Sequence, residues 1–226
     1  AVEILVYLYW ELLKKDDIFI FSKASGVAAL YSVLAARGKI PKAKIAYYLK
    51  NYPLISKEVS GVIWSGGSLG HGLPVAVGLA LANRKRKVYC LMSDAEMQEG
   101  TTWESALFAA HHQLDNLFVF VDMNGLQACG RTKDILGLDS LEEKFKSFGW
   151  ETFFANGHDF EAIDRVFNID TDIQEVYQSR FFDKEEPKVI ILNTTKGKGV
   201  EFCEDDFEWH YRNLTPQLLK KALCKI

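Results

Sequence analysis

The sequence predicts an α/β fold, a doubly wound and mainly parallel sheet with helices on both faces. Three observations lead there. Short apolar runs recur at residues 18–21, 88–92, 117–121, 150–155 and 188–193, and several are too continuously apolar for strands with one wet face. Segments with helical spacing or helix stops lie between them, which is the crossover that parallel strands require. Hydrophobic residues make up 48% of the 226, enough to bury one large core, so residues 1–226 are expected to form a single domain.

Taken in order, the opening AVEILVYLYWELLKK reads as an amphipathic helix. It is too short and too charged to span a bilayer, and it has no basic region followed by a cleavage site. It starts inside the helical pattern, as a chain preceded by further sequence would. Strand 18–21 follows, then GVAALYSVLAARG, residues 26–38, a helix with a glycine stop. A further helix is expected from 41 to 50. Residues 51–68 show no period and are rich in Gly, Ser and Pro, and a loop that long in a compact domain points to function.

Residues 69–83 form a small-residue helix opened by a glycine-rich turn, ahead of strand 88–92. The helix before strand 117–121 should place Trp103, Leu107 and Phe108 in the core, with His111 and His112 satisfying its terminal carbonyls. A helix at 141–148, a strand at 150–155, helices across 159–180 and a strand at 188–193 complete the pattern. His158, in NGHD, reads either as a substrate-side loop contact or as a turn residue before the next helix.

Composition excludes several classes. With 27 basic and 30 acidic residues, the net charge of -3 offers no general field for nucleic acid or an anionic membrane. The one dense basic run, Arg84-Lys85-Arg86-Lys87, lies between a helix and a strand and has no interleaved aromatics. Cys90, Cys129, Cys203 and Cys224 form no CxxC pair, so neither a zinc site nor a disulfide framework is indicated, and a reduced, cytoplasmic setting is expected.

The chemistry gathers around MSDAEMQEG and VDMNGLQ. Asp94 ends one apolar run and Asn124 the next, so the two should stand side by side at the carboxyl edge of the sheet, where open α/β sheets bind ligands. Both offer hard oxygen donors, and the turn Asn124-Gly125-Leu126 can aim a backbone carbonyl inward. Such a set suits magnesium, or another divalent ion such as calcium, with positions left for phosphate oxygens. GGSLGHG, residues 66–72, opens a helix whose free N–H groups favour an anion. Each piece alone has a plain reading as a helix cap or a turn. Jointly they describe a site for a magnesium diphosphate.

These motifs resemble a known family. SDAEMQEGTTWESALFAAHHQLDNLFVFVDMNGLQ is similar to the thiamine diphosphate motif of transketolases, and GGSLGHG, the SK and ALY of FSKASGVAALY, NTTKGKGV and EWHYR match in the same order. The likeness covers nearly the whole chain and is closest to amino-terminal subunits of split transketolases. It implies that residues 1–226 are one diphosphate-binding domain, with the pyrimidine domain on a separate chain in an α2β2 assembly. Asp94, Asn124 and the Leu126 carbonyl would hold the metal, and Gly67, Leu69, Ala95 and Glu96 would lie at the cofactor. Glu99 matches the glutamate that couples the two active sites, while His71 and His210 are the catalytic candidates.

The implied reaction makes or breaks a carbon–carbon bond next to a carbonyl through the thiamine diphosphate ylid, on a sugar or keto substrate. Three departures stand out. Family members read GDG where this chain has Ser93-Asp94-Ala95, and Ala95 would cost about 1 kcal/mol if the site needs a positive φ. The family's SKGH places a histidine where this chain has Ser25, which becomes the tentative substrate contact, and GHP is absent from residues 51–64. The departures keep two alternatives open, an enzyme of the 2-keto acid decarboxylase type and a catalytically decayed scaffold.

Overall fold

The computed structural model describes residues 1–138, 140–167 and 185–224. In chain order the main elements are α1 (Val2–Tyr7), β1 (Ile18–Phe21), α2 (Val27–Ala36), α3 (Ile45–Asn51), α4 (Gly72–Ala82), β2 (Val88–Ser93) and α5 (Gly100–His111). There follow β3 (Leu117–Met123), a hairpin of β4 (Leu126–Gln127) and β5 (Gly130–Arg131), α6 (Thr132–Ile135), α7 (Leu141–Ser147), β6 (Glu151–Asn156), α8 (Phe160–Phe167), β7 (Lys188–Asn193) and α9 (Pro216–Leu223). Five strands form one parallel sheet in the order β1-β2-β3-β7-β6.

Period-2 alternation divides the central strands between two cores. Tyr89, Leu91, Phe118, Phe120, Ile190 and Leu192 pack against α1, α2 and α8. Val88, Cys90, Met92, Val119, Val121, Val189 and Ile191 pack against α4, α5 and α7. The sheet is therefore covered on both faces, as its apolar strands require. The ladders run in register, pairing Ser93 with Asp122 and Met123 with Asn193, so the strands end together and their following loops meet at one edge.

Several local expectations change. The first helix is α-helical only to Tyr7 and widens to a π-helix over Leu8–Leu12. The helix expected from Leu69 starts at Gly72, because Gly70 has φ +74 and approaches Glu99 too closely for any Cβ. The segment 51–68 is no free loop. Ile55 and Val59 are buried, the Tyr31 hydroxyl donates to the Tyr52 and Leu54 carbonyls, and the Trp64 indole donates to the Phe21 carbonyl. Of the helices expected across 159–180, α8 ends at Phe167 and residues 168–180 lie outside the described residues. The β4–β5 hairpin and α9 have no counterpart among the elements expected from sequence.

Two side-chain expectations are overturned. Leu107 and Phe108 are exposed, because α5 turns Ala106 and Ala109 to the sheet instead. The carbonyls at the end of α5 are met by Arg84, whose guanidinium donates to His112 and Gln113, and not by the two imidazoles. A longer, forked donor from a neighbouring segment reaches what the helix's own rings do not. No helix among the described residues is long and apolar enough to cross a membrane.

One buried side chain pins the connection into β2. The Asn116 amide donates to the carbonyls of Ala80, Asn83 and Arg86 at 3.0, 3.2 and 2.8 Å. Asn116→Ala removes the donor from all three, so it should lower the unfolding free energy by about 2–4 kcal/mol in urea titrations.

Candidate active site

Asp94 follows β2 in a 3-10 turn, Asp94–Gln98, that Ser93 and Glu96 close as a capping box. The Asp94 side chain is 2% exposed. Its Oδ2 accepts from the Gly125 amide at 2.8 Å and the Thr132 hydroxyl at 3.0 Å, and its Oδ1 accepts from the Ala95 amide at 3.0 Å. Asn124 lies beside the first of these donors. Its Oδ1 accepts from the Leu126 amide at 3.0 Å, an Asx turn that Gly125 completes with φ +72. The two predicted metal ligands are thus brought together on the wall of one cavity of about 710 Å³, with Thr132 and Thr194.

Burial pushes the Asp94 carboxyl up from its ordinary range, although Lys23 and the Thr132 and Gly125 donors oppose the shift. It makes no ion pair among the described residues, since Lys23 is taken by Asp122 at 2.6 Å. A buried carboxylate with only neutral donors, next to an amide oxygen, fits a hard divalent cation as its missing partner. Leu126 is buried in β4 and gives its amide to Asn124, but it lines neither this cavity nor the next.

A second cavity, of about 510 Å³, shares Asn124 and Thr194 with the first and adds Lys23, Ser25, His158, Lys196 and His210. Lys196 Nζ lies 3.4 Å from His210 Nδ1. Burial, and then Lys196 and Lys23, hold the His210 imidazole below its ordinary range, so it is neutral near pH 7. Burial and the Lys23 charge likewise depress Lys196. His158 is spoken for on both nitrogens: Nε2 accepts from the Thr195 amide at 2.7 Å, so Nδ1 carries the proton given to Glu3 at 2.7 Å. Its backbone amide also donates to Asn156, which is the turn reading of this residue.

Other predicted residues stand apart. Gly67, Leu69, His71 and Glu99 line neither cavity. His71 is exposed at the start of α4, and Glu99 is half-buried against Gly70. Glu96 is fully buried, turns its oxygens to Ser22, Gly70 and Ser93, and lines neither cavity. Ala95 sits in the right-handed 3-10 turn and is not among the residues with positive φ, so its Cβ brings no backbone strain. Sequence reasoning missed Lys23, Asp122, Thr132, Thr194 and Lys196. Lys23 and Lys196 lie inside matched motifs, but nothing in the chain links Thr132 to Asp94.

The family model of the transketolase thiamine diphosphate binding domain matches residues 14–221. The chain belongs to the transketolase family. It is 40% identical over 230 residues to an apulose-4-phosphate transketolase subunit from Actinobacillus succinogenes, covering 93% of this chain and 79% of that one. It is 33% identical to a 6-deoxy-6-sulfo-D-fructose transketolase subunit from Clostridium sp., covering 99% of this chain and 84% of that one. Among solved structures it resembles Campylobacter jejuni transketolase with a TM-score of 0.77 at 25% identity, over 91% of this chain and 33% of that one. The chain therefore spans most of the length of those two relatives and about a third of that transketolase.

Thr132 supplies the test of this geometry. Thr132→Val keeps the shape and removes the hydroxyl that orients Asp94. It should weaken magnesium-dependent thiamine diphosphate binding by roughly tenfold in calorimetric titrations, with little change in thermal midpoint.

Proposed function

We propose that the chain is the diphosphate-binding half of a split transketolase, a single domain that holds magnesium and thiamine diphosphate against a pyrimidine-domain partner. The observation that carries this reading is the placement of Asp94 and Asn124 on a cavity that adjoins one lined by Lys23, Lys196 and His210. A divalent ion would take the Asp94 carboxylate, the Asn124 amide oxygen and the Leu126 carbonyl. The diphosphate would be drawn by the positive groups beside it. When bound, thiamine diphosphate supplies a nucleophilic carbon that attacks a carbonyl.

The chain's own residues then orient and move protons. Neutral His210, with Nδ1 turned to Lys196, keeps Nε2 for a proton at the reacting group, while the Ser25 hydroxyl binds substrate. Relatives named for apulose 4-phosphate and for sulfofructose favour an acidic sugar, phosphorylated or sulfonated, over a bare keto acid. A decayed scaffold and a decarboxylase are correspondingly disfavoured. The strain that Ala95 would have introduced into the site is also absent.

The partner reading draws support from an unusual surface. α4, GLPVAVGLALA, is apolar on every side, yet its Val75 and Leu81 are exposed, as are Leu107 and Phe108 of α5, the helix that packs against it. An all-apolar helix at a surface belongs in an interface. In a two-plus-two assembly this face would lie between subunits, and the setting would be the cytoplasm.

Mixed with its partner and magnesium, the chain should bind thiamine diphosphate, and Asp94→Ala should weaken that binding at least about a hundredfold in calorimetry. Unchanged binding in the variant would overturn the metal assignment. Ser25→Ala should leave cofactor binding intact and raise the KM for the sugar acceptor about three- to tenfold, the worth of one neutral hydrogen bond.

A further inference from the structure

We propose that Glu96 is the positioning residue of this site, one buried carboxylate that fixes three of the segments from which the carboxyl edge is built. The inference rests on reading that edge as a cofactor site. Glu96 Oε1 accepts from the Ser22 hydroxyl and from the Gly70 amide at 3.2 Å, and Oε2 accepts from the Ser93 amide at 2.8 Å and the Ser93 hydroxyl at 3.2 Å. Ser22 follows β1 and in turn accepts from the Gly72 amide at 3.2 Å. Gly70 belongs to the turn that opens α4. Ser93 ends β2.

Each anchored residue sits near one with an expected role. Ser25 lies three residues beyond Ser22, Leu69 precedes Gly70, and Asp94 follows Ser93. The anchoring is tight at Gly70, where a built Cβ would lie 2.7 Å from the Glu99 side chain, so the turn has no room to shift toward α5. Glu96 itself has no exposed surface and lines neither cavity, so its influence is indirect.

The hydrogen bonding requires a carboxylate. All four partners donate, and two of them are backbone N–H groups that cannot reverse roles. Glu96→Gln preserves volume but replaces one oxygen by an NH2 group. In one orientation that group faces the Gly70 N–H, and in the other the Ser93 N–H. No flip of the amide satisfies both.

Hydrogen exchange on the unliganded chain gives the direct readout. E96Q should speed exchange about tenfold or more at residues 22–25, 69–72 and 93–95 together, and leave α7 and β7 at wild-type rates. In the partnered, magnesium-loaded complex the same variant should raise the thiamine diphosphate Kd about tenfold or more, with kcat at saturating cofactor and substrate within about twofold of wild type. Leu34→Ala, a cavity in the opposite core, should lower the thermal midpoint without moving that Kd. Should E96Q fail to fold, Ser22→Ala retains the carboxylate but removes the hydroxyl that also accepts from Gly72, so it should loosen residues 22–25 and 70–72 while residues 93–95 keep wild-type exchange. Wild-type exchange in E96Q, loosening of one segment only, or an unchanged Kd would each overturn the proposal. A wild-type complex that binds no cofactor would instead sink the reading of the site, leaving the exchange result to judge the clasp.

Discussion

The hydrogen bond from the Gly125 amide to the Asp94 carboxylate is the constraint on which the carboxyl edge depends. It joins the loop after β2 to the loop after β3, and it forms only because the two strands run in register to their ends. The carboxylate is almost fully buried, and burying such a charge without a partner costs several kcal/mol. Three neutral donors offset part of that cost and leave the negative charge in place. The relief is only partial, which is why burial still pushes the carboxyl up from its ordinary range.

The neighbouring Asp122 shows the contrast. It too is buried, yet Lys23 at 2.6 Å and the Thr194 hydroxyl outweigh burial and hold its carboxyl far below the usual range. Two aspartates on adjacent strand ends therefore have opposite electrostatics. Asp122 is neutralised within the chain and fastens the loop after β1 to the loop after β7. Asp94 is left unneutralised and faces a cavity. By consuming the Asp122 charge, Lys23 also keeps its own ammonium at the cationic cavity, where it helps hold His210 neutral.

Much of this was legible in the sequence because it depends on strand ends. Apolar runs locate strands, parallel strands place their carboxyl ends together, and Asp94 and Asn124 could be paired from position alone. The Glu96 clasp was not legible, since a glutamate inside a cofactor motif looks like a contact until its burial is known. Thr132 was equally invisible, being brought back to Asp94 only by the β4–β5 hairpin, whose strands of two residues carry no periodic signal. Leu107 and Phe108 misled for another reason. Apolar residues on a helix mark a buried face, but they do not say whether the chain itself or a partner buries it.

Two of the departures from the family motifs differ in physical weight. Ala95 replaces a glycine in a right-handed turn, where a methyl group meets no forbidden backbone conformation. Ser25 replaces an imidazole in a cavity, and that changes what the cavity can do. A hydroxyl donates and accepts hydrogen bonds but does not take a proton near neutral pH. With both His158 nitrogens engaged by Glu3 and Thr195, proton transfer in this reading concentrates on His210. An imidazole that could share the proton work is thus exchanged for a side chain that can only hydrogen-bond, on a wall that also carries Lys23 and Lys196.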